Sequence, residues 1–392
     1  MNYAEDNLLA GERKGPGEKT KTSFFSGIDE IPEILKQPHF PSLDGLRAVS
    51  IIIVIVFHVF IAFGHVSAIF ESPLNFNFAD LGVQIFFVIS GFLITTLLLK
   101  EKVSKGDINL KHFYIRRVFR ILPVAFLYLF FVLILNFVMK LHLNMLFILA
   151  SFLFLRNFVA NVNGPNNLTT HYWSLAVEEQ FYLIFPVILK KSLRLYIYFL
   201  LAILLLSVLI DFTNGSSLFK LSDGYFRISR ILITQFQGIA IGSFFSIAIF
   251  KNRIRVGDSN ISFKISALIL LVVLLTLYSG QYGDIANIFK CVCIATILSI
   301  NLKQRVNPFF KLLNNKVMKL IGVLSFSIYI WQQPFTLGLN FFNQSSFSKR
   351  FDNKILIDIF IMGIFLVILG IISYVSYNFY EKKFLKLKER FK

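Results

Sequence analysis

The chain has 392 residues, of which 56% are hydrophobic and 16% are charged, and its formal net charge is +18. Soluble domains contain about 45–50% apolar and about 25% charged residues, so this composition excludes a soluble globular protein and indicates a membrane protein. It also argues against a nucleic-acid partner, because the Lys and Arg residues fall between long apolar runs, where they set membrane topology, and not on a soluble face.

The first 40 residues are polar and rich in Gly and Lys. Such a segment buries too little apolar surface to fold by itself. We therefore expect a flexible cytoplasmic tail over residues 1–40, followed by a membrane domain over residues 41–392.

Ten apolar runs are long enough to cross about 30 Å of hydrocarbon as helices, which takes about 20 residues. They cover residues 48–65, 80–99, 121–139, 174–189, 194–211, 228–250, 262–279, 284–301, 320–340 and 355–378. The sequence therefore predicts an all-α polytopic bundle of about ten membrane-spanning helices.

An eleventh apolar run, residues 143–159, follows the third span directly. With ten spans and a cytoplasmic N-terminus, the inward-facing segments hold 31 of the 40 Lys and Arg residues, as the positive-inside rule requires. Counting 143–159 as a further span would place the later basic segments outside. We therefore predict that 143–159 is a re-entrant or interfacial segment on the outer side, buried in protein.

The first span carries two ionisable residues, Arg47 and His58, in the stretch LDGLRAVSIIIVIVFHVF. Eleven helical steps of about 100° bring both to the same face, about 16 Å apart along the axis. His58 then lies near the middle of the bilayer, where a neutral imidazole can act as a general base. The alternative is a histidine that merely forms a hydrogen bond between helices.

The third span begins with an arginine cluster in FYIRRVFRILP, where Arg116 and Arg117 precede Arg120 by four and three residues. Residues at these spacings share a helix face, and guanidinium groups bind phosphates bidentately. The cluster is therefore a candidate phosphate site. Juxtamembrane arginines also commonly serve only topology and anionic lipid headgroups.

Two adjacent carboxylates, Glu178 and Glu179, lie near the start of the fourth span. Ionisable groups inside a span are costly and are functional candidates by default. One of the two can face the bundle and take part in acid-base chemistry. The preceding His171, Tyr172 and Trp173 include aromatic residues that are also explained by an interfacial belt.

Two other spans contain small or polar residues. In the second span, Gly82, Ser90 and Gly91 permit close helix contact, and a packing role is sufficient for them. In the ninth span, the amides of Gln332 and Gln333 are expected to line a cavity, because they suit lipid poorly.

Five segments together resemble the acyltransferase 3 family of bacterial membrane enzymes. They are LDGLRA at 43–48 followed by His58, FFVISGFLI at 86–94, RRVFRILP at 116–123, WSLAVEEQFY at 173–182 and YIWQQP at 329–334. The motifs occur in the family's order and cover nearly all of the chain beyond the tail. The sequence departs from the family pattern at Gln332, where many relatives have His.

The resemblance implies a multi-pass enzyme of the bacterial inner membrane that takes an acyl group, often acetyl, from acyl-coenzyme A in the cytoplasm. It delivers that group to a hydroxyl of a saccharide or glycan, commonly on the outer side, and uses no metal. His58 would be the catalytic base or a transient acyl carrier. Glu178 would be the second catalytic residue, on the acceptor side, where it would position or deprotonate the sugar hydroxyl or orient a histidine. Four arginines would bind the phosphates of coenzyme A: Arg47, Arg116, Arg117 and Arg120.

The leading hypothesis is therefore an O-acyltransferase that modifies a cell-envelope or exported saccharide. The alternative is a transporter or flippase of a sugar or polyprenyl-linked glycan, with His58 as a proton relay. The arginine cluster favours the enzyme, because many secondary transporters show broken helices in two corresponding halves. The hydrolase-like domain of some relatives is not expected, so the membrane domain or a separate partner would complete the transfer.

Overall fold

A computed structural model of the chain describes residues 27–37, 40–62, 78–159, 168–215, 232–254, 263–270, 273, 283–303, 307–344 and 354–391. Within these ranges every regular element is a helix, in agreement with the all-α prediction. Residues 1–26 of the expected tail lie outside the described ranges.

The helices differ widely in length. They are α1 (Pro41–Ala62), α2 (Phe78–Lys105), α3 (Leu110–Met139), α4 (Met145–Phe152), α5 (Tyr172–Lys191), α6 (Leu193–Gly215), α7 (Gln237–Phe250), α8 (Asp284–Ile300), α9 (Pro308–Asn314), α10 (Lys316–Gln344), α11 (Lys354–Val375) and α12 (Lys382–Lys388). A π-helical segment, Ser376–Glu381, joins α11 to α12.

Five helical stretches in the described residues are long and apolar enough to cross a membrane, so the chain is a membrane protein but the expected count of about ten spans is not confirmed. They are Ser42–Val59, Asp80–Lys105, Leu110–Met139, Leu193–Phe212 and Ile357–Phe391. For two of the remaining predicted spans, charge or length explains the difference. Helix α5 carries four charged residues, and α7 has 14 residues, or about 21 Å. Of the run 262–279, only residues 263–270 and 273 are described.

The run 143–159 contains the eight-residue helix α4, whose first turn is capped by the Asn144 side chain, and the 3-10 turn Arg156–Phe158. Eight residues extend about 12 Å, far short of the hydrocarbon thickness. This length agrees with the prediction that the run does not cross the membrane as one helix.

Helix α1 begins at Pro41, seven residues before the predicted span. Proline is favoured in the first helical turn because its missing N–H has no partner there, and Asp44 in the same turn complements the helix dipole. Arg47 and His58 consequently belong to one continuous helix, as their spacing requires.

Helix α2 lies at the centre of the bundle, and its glycines allow the closest approaches. A Cβ on Gly82 would lie 2.6 Å from Val54 Cγ2 in α1, and one on Gly91 would lie 1.9 Å from the Ile239 carbonyl oxygen in α7. The backbones are therefore nearly in contact, as expected for small residues at membrane helix interfaces.

The last part of the segment expected to be a flexible tail packs against the bundle. Leu35 is fully buried, and Lys100 donates a hydrogen bond to the carbonyl oxygen of Gln37 at 3.0 Å. The Phe40 ring meets Phe92 edge-on, with 6.1 Å between centroids. These contacts hold the chain leading into α1 against α2.

Candidate active site

A cavity lies among five helices, α1, α2, α3, α5 and α10, at the end of the bundle where α1 and α3 carry their arginines. Its apolar wall comes mainly from α2, including Phe86, Phe87 and Leu93. Its polar lining consists of Arg47, Ser90, Arg117, Arg120, Ser174, Glu178, Tyr182, Ser325 and Tyr329. The cavity thus brings together residues from all five motifs that carry the family resemblance: several from each of three motifs, and Arg47 and Tyr329 from the other two. We call it the basic cavity.

Three of the four arginines predicted for phosphate binding line the basic cavity. Arg117 and Arg120 share a face of α3 because they are three residues apart, and Arg47 reaches the cavity from α1. The Arg117 guanidinium lies over the Tyr182 ring at 5.0 Å, while Arg47 Nη1 lies 3.7 Å from Asp44 Oδ1. These contacts fix the orientation of the guanidinium groups and leave donors available to a ligand.

The fourth arginine, Arg116, does not line the cavity. Its Nη1 donates to the carbonyl oxygen of Phe391 at 2.7 Å, and its Nη2 pairs with Glu101 Oε2 at 3.3 Å. One residue along a helix rotates the side chain by about 100°, which is enough to separate Arg116 from Arg117. The side chain links α3 to α2 and to the last described turn of the chain.

Glu178 lines the same cavity as the arginines. Tyr182 donates a hydrogen bond to its Oε2 at 3.3 Å, and the Tyr182 hydroxyl also bonds Ser90 Oγ. Arg117, Arg120 and Arg47 all lie close enough to interact electrostatically with the carboxyl group. The sequence-based expectation set Glu178 toward the acceptor, whereas α5 carries it about one turn beyond Ser174, into the arginine layer.

Ser90 was expected to have only a packing role. In the structure its hydroxyl bonds Tyr182 and lines the basic cavity, while its neighbour Gly91 makes the close approach to α7. The small size of both residues is visible in the sequence. The hydrogen bond that Ser90 makes to another helix is not.

Two hydroxyls close the basic cavity at the end opposite the arginines. Ser174 Oγ and Tyr329 Oη lie 2.5 Å apart, and both are within hydrogen-bonding distance of the carbonyl oxygen of His171, at 3.2 and 3.0 Å. We call Ser174 and Tyr329 the hydroxyl pair. Through the carbonyl oxygen of His171, the pair adjoins a layer that contains the buried His171 and the half-buried His58, which interact electrostatically.

His58 lies in that next layer and does not line the basic cavity. Its Nδ1 is 2.7 Å from the carbonyl oxygen of Val54. A carbonyl only accepts, so Nδ1 carries the proton in the neutral imidazole and Nε2 keeps a free lone pair. This tautomer is the one required if Nε2 is to accept a proton.

His171 lies close enough to His58 for the two imidazoles to interact electrostatically. It is 4% exposed and packs its ring against Tyr172, Tyr128 and Tyr329 at 4.9, 5.2 and 5.7 Å between centroids. Sequence reasoning named His171 only as a neighbour of the carboxylates. In the sequence, His171 directly precedes Tyr172, Trp173 and Ser174 of α5, and this position could have marked it as a candidate site residue.

Arg156 was also missed by sequence reasoning. It is fully buried beside α4, lies over the Phe147 ring at 4.8 Å, and donates to the Val159 carbonyl oxygen at 2.8 Å and to Thr170 Oγ1 at 3.3 Å. Burial lowers the pKa of its guanidinium. A single arginine within the apolar run 143–159 was the signal that could have found it.

Metal-ligating residues do not cluster in the described part of the chain: no three His, Cys, Asp or Glu side chains there lie close enough together to hold an ion. The basic cavity instead offers guanidinium and hydroxyl donors. Guanidinium groups can bind anions, and hydroxyl groups can donate and accept hydrogen bonds.

Comparison with known proteins relates this arrangement to one family. The model of a family described as "Acyltransferase domain" matches residues 40–387. A Staphylococcus aureus (strain COL) protein named "Putative O-acetyltransferase" is 31% identical over 90% of this chain and 58% of its own length. O-acetyltransferase OatA of S. aureus (strain NCTC 8325) is 29% identical over 88% of this chain and 57% of its own. The chain thus spans somewhat more than half the length of these relatives. No solved structure matches it.

Proposed function

Because the chain belongs to the acyltransferase family whose model covers residues 40–387, we propose that it is a membrane O-acyltransferase that moves an acetyl group from acetyl-coenzyme A to a hydroxyl of a cell-envelope or exported saccharide. The observation that carries this proposal is the convergence of Arg47, Arg117 and Arg120 in one cavity, to which the helix that carries His58 contributes Arg47. The names of the relatives support acetyl as the group transferred.

The basic cavity is the proposed donor site. Coenzyme A carries several phosphate oxygens, which guanidinium groups bind bidentately. Three arginines face one carboxylate, Glu178, so the cavity lining keeps a net positive charge that attracts the anionic donor. Basic ends of membrane proteins face the cytoplasm, where acyl-coenzyme A is made. This supports the proposal that the protein lies in the bacterial inner membrane with its cavity open to the cytoplasm.

His58 is the proposed catalytic base. Its Nε2 takes the proton of the acceptor hydroxyl while that oxygen attacks the thioester carbonyl carbon. The new C–O bond forms as the C–S bond breaks, and coenzyme A leaves as a thiolate that receives the proton back. The acetyl group reaches this layer from the basic cavity when Ser174 and Tyr329 move apart.

Glu178 is proposed as a positioning residue. Its carboxylate accepts from Tyr182 and faces three guanidinium groups, so it holds the arginine layer in place and keeps Arg117 over the Tyr182 ring. We expect its loss to weaken donor alignment, while Arg116, which pairs elsewhere, contributes to the structure of the basic end.

Transfer of label from radiolabelled acetyl-coenzyme A tests the proposal. Membranes containing the wild type, His58→Ala or the control His112→Ala are compared at matched expression, and label is followed into the glycan fraction. His112 lies at the start of α3, beside Phe391 and away from both layers. We expect the wild type and His112→Ala to label glycan and His58→Ala to label none. Equal labelling by His58→Ala would exclude the proposed base, and no labelling above empty membranes would exclude the acetyl donor.

A further inference from the structure

Beyond the hydroxyl pair lies a set of buried polar atoms that have no hydrogen-bond partner of ordinary geometry among the described residues. They are both ring nitrogens of His171, the indole nitrogen of Trp331 and both amide atoms of Gln332. The three side chains are 4%, 9% and 0% exposed. The backbone of Ile330 approaches the His171 ring without completing a well-formed hydrogen bond.

Poor packing does not explain these atoms, because the tyrosine hydroxyls of the same layer are all satisfied. Tyr128 donates to the Leu168 carbonyl oxygen at 2.7 Å, and Tyr172 donates to that of Ala125 at 2.6 Å. A buried polar group without a partner costs about 1–3 kcal/mol, so several in one place call for an occupant that supplies the missing partners.

Two of the three side chains, His171 and Gln332, lie near His58, and Trp331 joins them through the aromatic cluster. Gln332 lies one helical turn from Tyr329 on the same face of α10, and it lines a small cavity with Ile55 and Val59, which lie on either side of His58 along α1. His171 interacts with His58 electrostatically. The Trp331 ring joins the same cluster through Tyr128, at 5.5 Å between centroids.

We propose that His171, Trp331 and Gln332 form the acceptor subsite and bind hydroxyl groups of a saccharide beside His58. This assignment rests on the proposed function. An amide and a neutral imidazole each both donate and accept, while an indole N–H donates. This set of donors and acceptors matches hydroxyl groups, which both donate and accept hydrogen bonds. Few polar groups among aromatic side chains are typical of ligand sites that fix orientation.

The subsite places donor and acceptor on opposite sides of the hydroxyl pair. The acetyl group comes from the basic cavity, and the acceptor hydroxyl comes from the layer that contains His58 and His171. His58 Nε2 then meets the hydroxyl that it deprotonates, and His171 holds the same sugar from the far side. The donor and the acceptor thus meet only at the position of Ser174 and Tyr329, when these two side chains move apart.

The substitution His171→Phe separates binding of the acceptor from folding and from binding of the donor. Phenylalanine keeps the contacts with Tyr128 and Tyr172 and removes the two unpartnered nitrogens. We expect purified His171→Phe to have a Tm equal to or above that of the wild type and to bind coenzyme A with a Kd within about twofold. We expect its transfer of acetyl to membrane glycan to fall at least tenfold, and Gln332→Leu to behave in the same way.

Two control variants define the comparison. Tyr128→Phe removes a satisfied hydroxyl from the same layer and should lower the Tm, opposite to His171→Phe. His112→Phe removes a histidine far from the layer and should transfer acetyl at the wild-type rate.

The outcomes distinguish the subsite from the proposed function. Wild-type transfer by His171→Phe, or a lower Tm with joint loss of coenzyme A binding and transfer, would overturn the subsite alone. A wild type that neither binds coenzyme A nor labels glycan would overturn the proposed function and the subsite with it.

Discussion

The interface between α2 and α7 makes a quantitative prediction for Gly91→Ala. A Cβ at this position would lie 1.9 Å from the carbonyl oxygen and 2.7 Å from the carbonyl carbon of Ile239. Favourable contacts need about 3.5 Å, so the helices must separate by roughly 1.5 Å. Both obstructing atoms belong to helix backbone and cannot rotate away. We therefore expect a loss at the upper end of the overpacking range, about 3 kcal/mol.

The same displacement reaches the active site. Ser90 precedes Gly91 and bonds the Tyr182 hydroxyl in the basic cavity, so a shift of α2 disturbs the group that donates to Glu178. We expect acetyl transfer by Gly91→Ala to fall together with its stability, measured by thermal unfolding in detergent and by labelling of membranes.

Gly363→Ala in α11 is the matched control. A Cβ there meets no atom within 4 Å, and alanine is the better helix former by up to about 1 kcal/mol. This variant should match or slightly exceed the wild type in both measurements. If Gly91→Ala unfolds at the wild-type temperature, the close packing of α2 on α7 does not limit stability and the reasoning is refuted.

Three further predictions concern the basic end of the bundle and the π-helical segment. Arg117→Gln should raise the KM for acetyl-coenzyme A at least tenfold, because a hydrogen bond to a charged group contributes about 1.5–3 kcal/mol. The control Arg116→Gln should change this KM less than threefold. Equal effects of the two variants in steady-state kinetics would contradict the donor site. Glu178→Gln should lower kcat by a factor of about 10–100 with partial recovery in Glu178→Asp, and an unchanged kcat would exclude its positioning role. Ser376→Ala should destabilise the protein by about 1–3 kcal/mol, because the Ser376 hydroxyl donates a hydrogen bond to Glu381 at 2.9 Å. Ser373→Ala should not destabilise it, because the Ser373 hydroxyl has no partner in the described residues. Equal Tm values for the two variants would contradict a stabilising role of the Ser376–Glu381 hydrogen bond.

The helices with uniform apolar composition could be predicted from the sequence. Runs such as 80–99 and 194–211 correspond to α2 and α6, because a continuous apolar stretch of about 20 residues can satisfy its own backbone hydrogen bonds in lipid as a helix. The predicted ends of helices were less accurate where residues of the first helical turn determine the helix start. Helix α1 starts at Pro41 because proline and Asp44 suit a first turn, a local signal that hydropathy does not register.

The content of the candidate site could be predicted only in part. Spacing correctly put Arg47 and His58 on one helix, but it could not separate Arg116 from its neighbours, because the partner Glu101 belongs to another helix. The role of Ser90 and the burial of His171 depend on contacts with Tyr182 and Tyr329, which lie 92 and 158 residues away in sequence. Such contacts leave no periodic signal in a single sequence.

The central claim is that donor and acceptor enter from opposite ends of the bundle, with the basic cavity facing the cytoplasm. Sealed vesicles of defined orientation test it most directly. Inside-out vesicles should consume external acetyl-coenzyme A and accumulate label on glycan in their lumen, and His58→Ala should abolish both. Right-side-out vesicles should consume none until detergent is added. Equal consumption by intact right-side-out vesicles would contradict the account.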